Sequence, residues 1–311
     1  MSRDFVTPAE IHTPIELHRG GCACPWHAPT SRRQFTGLFT GLVAGGTALS
    51  GLPAWAREGV EVGGTSKFAK LVPAAQVEQA AQQNYLQLQQ EATSKGALAA
   101  DNHPQVIRLR AIAEQLKPHT YEWNDRARTW KWEVSLIVSD QINAFCMPGG
   151  KIAFYTGILQ KLQLNDDEVA MIMGHEMAHA LREHARERMG KSTATQGLIG
   201  LGSALLGLGD LGRTVADVGG QLLTLRFGRQ DESEADLVGM ELAARGGYNP
   251  RAGVTLWQKM GQASKGAPPQ FLSTHPASDT RIQEIEANLN KVTGLYERAP
   301  RPTRRYAPPP A

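Results

Sequence analysis

The stretch that decides the fold is GHEMAHALREH, residues 174–184. It places His175 and His179 four positions apart, with Glu176 directly after the first histidine. On an α-helix, residues i and i+4 lie on one face about one turn apart, so both imidazoles can reach one metal ion. Glu176 can then lean towards the open coordination position, where water binds. The alternative is a charged helix with incidental histidines.

The residues around this motif predict where its helix begins and how it is buried. Asn165 is a favourable N-cap, and Glu168 follows three residues later, as in a capping box. Apolar residues precede and enter the motif: Val169, Ile172, Met173 and Met177. We therefore expect the first half of the helix to be buried. Two buried imidazoles and a carboxylate need partners, which favours a metal site.

The charged run REHARER after Leu181 predicts that the second half of the helix emerges into solvent. His184 lies nine residues from His175 in the chain. That separation is about 900° of helix rotation, which places the two histidines on opposite faces. We therefore expect His184 to be exposed and not to be a metal ligand.

A catalytic zinc site needs a third protein ligand. GRQDESEADLVG, residues 228–239, places Glu232 and Asp236 at positions i and i+4, so that they share a helix face. One can bind zinc while the other hydrogen-bonds a ligand histidine and fixes its tautomer. Glu234, about 200° round the helix, is expected to point away. Zinc lowers the pKa of its bound water to about 7, and Glu176 can take the proton as the water attacks a carbonyl.

The resemblance to a known family rests on four segments: INAFCMPGGKIAFYTGIL, NDDEVAMIMGHEMAHALREHARERM, GRQDESEADLVGMELAARGGYNP and FLSTHPASDTRIQEI. They cover about residues 140–287. Their order resembles that of the gluzincin zinc endopeptidases of metallopeptidase family 48, which includes the CAAX prenyl proteases and bacterial heat-shock and envelope proteases.

The resemblance implies one zinc ion per subunit with three protein ligands: His175, His179 and Glu232. It also implies that Glu176 is the general base. One departure from the family pattern is Gly228, which stands before Arg229 where the family usually has serine.

A histidine near the end of the matching region is a further candidate. FLSTHPASDTR resembles the segment that distinguishes the periplasmic, outer-membrane-assembly members, in which a histidine at the position of His275 can sit over the zinc. Two roles stay open for His275. It is either a removable fourth ligand that keeps the protease off, or a donor that stabilises the oxyanion.

The sequence also predicts a small sheet. Alternation in TWKWEVSLIVSD, residues 129–140, predicts a strand, and Pro148-Gly149-Gly150 predicts a turn between two further short strands. The strand after the turn, residues 151–155, is either an edge strand that pairs with an extended substrate or an internal strand. The candidate substrate-pairing residues are Gly150, Lys151, Ile152, Ala153 and Phe154.

We expect an α+β fold, a mostly helical zincin-like metalloprotease domain with a small sheet flanking the motif helix. Helical spacing and end signals predict further helices over residues 74–94, 104–116, 230–245 and 276–291. The zinc metallopeptidase domain is predicted to span residues 74–295. A linker, residues 57–73, precedes it, and a disordered tail rich in proline and arginine, residues 296–311, follows it.

The first 56 residues predict export. Ser31-Arg32-Arg33-Gln34-Phe35 precedes an apolar, glycine-rich run that ends in Ala54-Trp55-Ala56. The pattern resembles a twin-arginine signal peptide with an extended n-region, residues 1–56, and predicts a periplasmic protein. An uncleaved segment would instead be an inner-membrane anchor.

The expected state of the cysteines depends on whether this signal segment is cleaved. Cys22 and Cys24 lie in HRGGCACPWH, which is either a small metal or thiol motif or part of a discarded leader. Cleavage after Ala56 would leave Cys146 without an intramolecular disulfide partner.

GLIGLGSALLGLGDLG, residues 197–212, is apolar but too short to span a bilayer. It is either a helix packed beside the site or a mobile cover that makes peripheral contact with the membrane.

Charge and motifs together limit the function. The net charge is only +3, from 33 basic and 30 acidic residues, which gives no reason to expect nucleic acid as a partner. The zinc motif and export signal predict a zinc-dependent metalloendopeptidase that hydrolyses misfolded or stalled envelope proteins. The alternative is an envelope or outer-membrane assembly factor or chaperone, with proteolysis held off by His275. A zinc exopeptidase or non-peptide hydrolase is a third hypothesis.

Overall fold

The computed structural model describes residues 57–205, 225–264, 269–276 and 279–310. Its helices are α1 (Ala74–Ser94), α2 (Pro104–Leu116), α3 (Thr156–Lys161), α4 (Asp166–Leu181), α5 (His184–Leu205), α6 (Arg229–Arg245), α7 (Ala252–Ala263), α8 (Gln270–Thr274) and α9 (Asp279–Arg298). Its strands are β1 (Glu133–Ile137), β2 (Ala144–Met147) and β3 (Lys151–Tyr155). The predicted α+β class is therefore confirmed. The export signal predicted over residues 1–56 lies outside the described residues.

Helix α4, which carries the motif, begins as its sequence predicts. The Asn165 side chain accepts a hydrogen bond from the Glu168 backbone at 2.9 Å, and the Glu168 carboxylate accepts one from the Asn165 backbone at 2.9 Å. This capping box satisfies two backbone donors that a helix start would otherwise leave unpaired. From Glu168 to Leu181 every residue is buried, so α4 is a core helix along its whole length.

The three strands form one sheet in the order β1-β3-β2. Strand β3 lies in the centre, parallel to β1 and antiparallel to β2. The hairpin between β2 and β3 turns through Gly149 and Gly150, which have φ values of +86° and +76°, a region that glycine reaches without steric cost.

The sheet order corrects the interpretation of β3 as a substrate-binding edge. The backbones of Lys151, Ile152, Ala153 and Phe154 face a partner strand on both sides, so an extended substrate cannot add to them. Gly150 serves the turn, and a Cβ there would lie 2.7 Å from the Trp132 ring. Strands β1 and β2 are the outer strands; the outer side of β1 is bridged by Leu98 at Ile137, whereas β2 pairs with β3 alone among the described residues.

Helices α4 and α6 cross with their backbones in contact. A Cβ atom on Gly174 would lie 2.6 Å from the Gly239 carbonyl oxygen, and one on Gly239 would lie 2.5 Å from the His175 nitrogen. Both distances are too short for any side chain larger than hydrogen. The crossing therefore brings the acidic residues of α6 directly against the histidines of α4.

Helix α4 ends earlier than the charged sequence suggested. Its last residue is Leu181, Glu183 has a left-handed φ of +59°, and α5 starts anew at His184. Because the rotation per residue is interrupted, the 900° argument does not hold across this break. The expectation that His184 is exposed is wrong, since only 1% of it is accessible to solvent.

The two segments that flank the predicted domain pack against it. Val60 is buried, and its backbone nitrogen donates a 2.8 Å hydrogen bond to the buried Glu241 carboxylate. At the other end, the Tyr306 backbone donates to Asp166 at 2.7 Å and Arg305 pairs with Asp167 at 2.7 Å. Residues 305 and 306 of the tail predicted to be disordered are thus held by the acidic first turn of α4.

The apolar stretch of residues 197–212 is described only as far as Leu205, where it continues α5. Among the described residues, no helix combines the length and the apolar character needed to cross a membrane. The cover and the membrane contact proposed for this stretch stay predictions.

Gly239→Ala tests the helix crossing. We expect it to lower the free energy of unfolding by about 1–3 kcal/mol, because the added methyl group forces α4 and α6 apart. Gly261→Ala in α7 is the matched control, because its Cβ would meet open space. The control should stabilise the protein by about 0.5–1 kcal/mol, as expected for alanine in a helix. Urea denaturation measures both, and equal effects would contradict the close crossing.

Candidate metal centre

Four buried side chains converge where α4, α6 and the end of α8 meet: His175, His179, Glu232 and His275. Each is at most 3% exposed. Each offers one ligand atom, and these atoms all lie within 4.8 Å of one another. The sequence predicted all four, and only the fold brings them together from positions 100 residues apart.

The spacing of the donor atoms fits a tetrahedral ion. His175 Nε2 lies 3.1 Å from His179 Nε2 and 3.3 Å from His275 Nδ1. Glu232 Oε1 lies 3.1 Å from His275 Nδ1 and 3.6 Å from His179 Nε2. Ligands about 2.0–2.1 Å from a tetrahedral zinc ion are about 3.3 Å from each other. Zinc therefore fits the arrangement of these residues.

Asp236 sets the tautomer of the first histidine. Its Oδ1 atom lies 3.0 Å from His175 Nδ1. A charged carboxylate can only accept, so Nδ1 carries the proton and the lone pair of Nε2 faces the other ligand atoms. This contact supports the role predicted for Asp236, which is to orient a ligand histidine rather than to bind the metal.

Arg281 is a site residue that the sequence did not single out. Its guanidinium donates to both oxygens of Asp236, at 2.6 and 2.7 Å, and its Nη1 lies 2.6 Å from Glu232 Oε2. It is 4% exposed and lies 3.6 Å over the Trp257 ring. In the sequence, Arg281 was marked only by its position in the DTRIQEI segment. Its burial could not be predicted, because a buried arginine depends on carboxylates that another helix supplies.

Arg281 and the neighbouring histidines keep Asp236 and Glu232 charged. Burial alone would raise the pKa of Asp236, but the charge of Arg281 and the hydrogen bond to His175 hold it at about 2. Burial would also raise the pKa of Glu232, but the hydrogen bond to His275 and nearby positive charges bring this pKa below its ordinary value. Both groups are therefore carboxylates at neutral pH, as a ligand and an orienting acceptor must be.

Glu176 lies at the wall of a cavity beside the cluster. The cavity is also lined by β2 residues, among them Cys146, and by His179 and His275. The Glu176 Oε1 atom makes no hydrogen bond to any described residue, and His275 Nε2 lies 3.5 Å from it. Burial raises the pKa of Glu176, although the neighbouring histidines oppose this. A raised pKa suits a group that takes up and releases a proton.

His275 lies between the carboxylates of Glu232 and Glu176. Its Nδ1 atom faces Glu232 and its Nε2 atom faces Glu176. Burial would lower the pKa of His275, but Glu176 and the hydrogen bond to Glu232 raise it above its ordinary value. His275 thus stands at the position where a fourth ligand would be.

The second histidine of the motif contacts an unexpected partner. His179 Nδ1 lies 2.9 Å from His184 Nδ1, and the Phe227 ring stacks on His179 with ring centroids 4.0 Å apart. His184 is not one of the four converging residues, as predicted, but it packs behind one of them. Glu234 also points away from the cluster, as predicted, and pairs with Arg182 at 3.1 Å.

Residues 108–289 match the model of peptidase family M48, which is more than half of the chain. This chain belongs to peptidase family M48. The family predicted from the sequence is therefore confirmed. Family membership and the buried cluster together also bear out the predicted zinc cofactor, with nitrogen and carboxylate ligands of the kind zinc prefers.

Several curated relatives of this M48 chain carry names of metalloendopeptidases or proteases. Mitochondrial metalloendopeptidase OMA1 of Schizosaccharomyces pombe is 36% identical over 159 residues, 50% of this chain and 46% of that protein. Beta-barrel assembly-enhancing protease of Escherichia coli is 29% identical over 167 residues, 50% of this chain and 34% of that protein. Metalloprotease LoiP of Escherichia coli is 28% identical over 203 residues, 65% of this chain and 77% of that protein. The chain spans about half or less of the mitochondrial relatives it matches.

Zinc titration tests the centre directly. We expect one zinc ion per chain, and we expect His179→Ala to weaken zinc binding by more than about 100-fold, because loss of a ligand exceeds the usual effect of an outer contact. His119→Ala, a half-buried histidine far from the cluster in sequence, is the matched control and should bind zinc like the wild type. Competition with a chromophoric chelator measures both, and equal affinities would disprove the assignment.

Proposed function

We propose that this protein is a zinc-dependent metalloendopeptidase. The observation that carries the proposal is the position of Glu176, a buried carboxylate with one oxygen free of hydrogen bonds to the described residues, beside four converging donor atoms. His175, His179 and Glu232 would hold the ion. Zinc bound there would supply an activated water and polarise the carbonyl of the scissile bond.

The protein's own groups would move the protons. Glu176 would accept the proton of the attacking water and then deliver it to the nitrogen of the leaving peptide. Its raised pKa favours this shuttle, because a carboxylate with an ordinary pKa is a weaker base. Asp236 and Arg281 would keep His175 and Glu232 in place while charge develops at the carbonyl oxygen.

The outer edge of β2, which pairs with no other strand among the described residues, is the surface that fits an extended substrate. Residues Ala144–Met147 line the same cavity as Glu176 and His275. A peptide that adds to this edge by backbone hydrogen bonds would pass its scissile bond across the cluster. Such pairing requires an extended chain, which folded proteins rarely offer and unfolded proteins do. This supports misfolded or unassembled proteins as substrates. Backbone pairing with the strand would not by itself select particular substrate side chains.

The placement of His275 favours the removable fourth ligand over the oxyanion donor. Its Nδ1 atom lies among the donor atoms, at 3.3 Å from His175 Nε2, and its ring separates Glu176 from Glu232. A histidine there competes with water for the open position. The resting protein would therefore be held off until the loop that carries His275 moves.

The cellular role that fits these features is quality control of envelope proteins in the periplasm. The predicted twin-arginine signal and the likeness to a relative named beta-barrel assembly-enhancing protease support this role. The restraint by His275 also favours a second candidate, an assembly factor or chaperone that rarely cleaves. Complementation of a deletion strain by Glu176→Gln would support the second candidate, and complete loss of function would support the protease.

Glu176→Gln tests the mechanism. We expect cleavage of casein by the zinc-loaded protein to fall by about 10²- to 10⁴-fold, because an amide cannot take the proton. Zinc affinity should be unchanged. Glu286→Gln, an exposed glutamate on α9, is the matched control and should leave the rate unaltered. A Glu176→Gln variant that cleaves as well as the wild type would rule out Glu176 as the base.

His275→Ala separates the two roles of that histidine. We expect casein cleavage to rise severalfold, because the open position is freed for water and substrate. Initial rates at saturating zinc measure the change, with His119→Ala as the control. Loss of cleavage at unchanged zinc content would contradict the restraint and favour a donor to the oxyanion.

A further inference from the structure

His184 contacts the metal centre from behind, and neither the motif nor the family comparison gives it a role. It is 1% exposed and starts α5 after the left-handed residue Glu183. The break in the helix turns its ring back towards α4. Its Nδ1 atom lies 2.9 Å from His179 Nδ1, a distance at which one nitrogen must donate and the other accept.

The direction of this hydrogen bond decides whether His179 can bind a metal. If His179 donates through Nδ1, the lone pair of its Nε2 faces the cluster. If His184 donates, His179 carries its proton on Nε2 and cannot be a ligand. The Nε2 atom of His175 lies 3.1 Å from His179 Nε2. It carries a lone pair, because Asp236 holds the His175 proton on Nδ1.

Glu234 favours the first arrangement. Its Oε2 atom lies 3.5 Å from His184 Nε2, an ion-pair contact without a hydrogen bond, and a carboxylate this close favours a proton on that nitrogen. The lone pair of His184 Nδ1 is then free to accept from His179. Arg182 donates to the same Glu234 oxygen at 3.1 Å and also to the Gly63 carbonyl, which balances the charge of the carboxylate and fixes its position.

We propose that His184 is a positioning residue that accepts the Nδ1 proton of His179 and thereby holds the Nε2 lone pair of His179 towards the metal. The arrangement parallels that of the other motif histidine. His175 is backed by Asp236 and then by an arginine, and His179 is backed by His184, then Glu234 and then Arg182. The inference rests on the metal centre of the proposed function, but it concerns the affinity for zinc and not the cleavage step.

Zinc affinity of three variants of the full chain tests this role, measured by chelator competition without substrate. His184→Leu removes the acceptor, and we expect its affinity to fall by about 10- to 100-fold, as for other outer partners of metal ligands. His184→Asn places an amide oxygen near the former Nδ1 position, and we expect it to stay within about threefold of the wild type. His119→Leu, the matched control, should bind like the wild type.

A coupled variant keeps the test valid if His184→Leu also loosens the fold. Glu234→Ala should weaken zinc binding by itself, yet the double variant with His184→Leu should be no weaker than His184→Leu alone, because both act through one hydrogen bond. In addition, nitrogen-15 NMR of the zinc-loaded wild type should show His179 with its proton on Nδ1 and His184 with its proton on Nε2.

Three results would overturn the proposal: wild-type affinity in His184→Leu, an Asn variant as weak as the Leu variant, or fully additive losses in the double variant. Failure of the proposed function looks different. In that case the wild type itself binds no zinc, or it binds zinc with the expected dependence on His184 and cleaves no protein.

Discussion

The contact between the backbones of α4 and α6 is the constraint on which the site depends. Gly174 and Gly239 leave no space for a side chain between the helices. This closeness lets Asp236 and Glu232, both on α6, reach histidines on α4 through short side chains. A separation larger by one methyl group would move the carboxylates away from the imidazoles. The geometry of the metal centre is therefore set by two residues that have no functional groups of their own.

A second constraint on the fold is that carboxylate groups are buried in its core. Three carboxylates lie within the core around the ligand atoms, and each would be costly there without a partner. Arg281 compensates two of them at once, Glu232 and Asp236. One oxygen of Glu176 makes no hydrogen bond to a described residue, and burial raises the pKa of this carboxyl. The same environment thus keeps two carboxyl groups ionised and raises the pKa of the third.

The order of strands in space changes which residues can meet a substrate. The chain order β1, β2, β3 becomes β1-β3-β2 in the sheet, because β3 returns parallel to β1 on one side and forms a hairpin with β2 on the other. The strand that looked suitable from its glycines and apolar residues is enclosed. Strand β2 is an outer strand that pairs with β3 alone among the described residues, and it lies along the cavity that Glu176 and His275 line.

Local features of this protein could be determined from its sequence alone. The capping box at Asn165, the shared faces of His175 with His179 and of Glu232 with Asp236, and the turn before β3 follow from backbone periodicity and nearby side chains. Only the tertiary structure decided the position of His184, the burial of Arg281, the sheet order and the attachment of the tail. These depend on where a helix stops and on which distant groups then face each other. One left-handed residue between α4 and α5 is enough to turn a predicted surface histidine into a buried neighbour of His179.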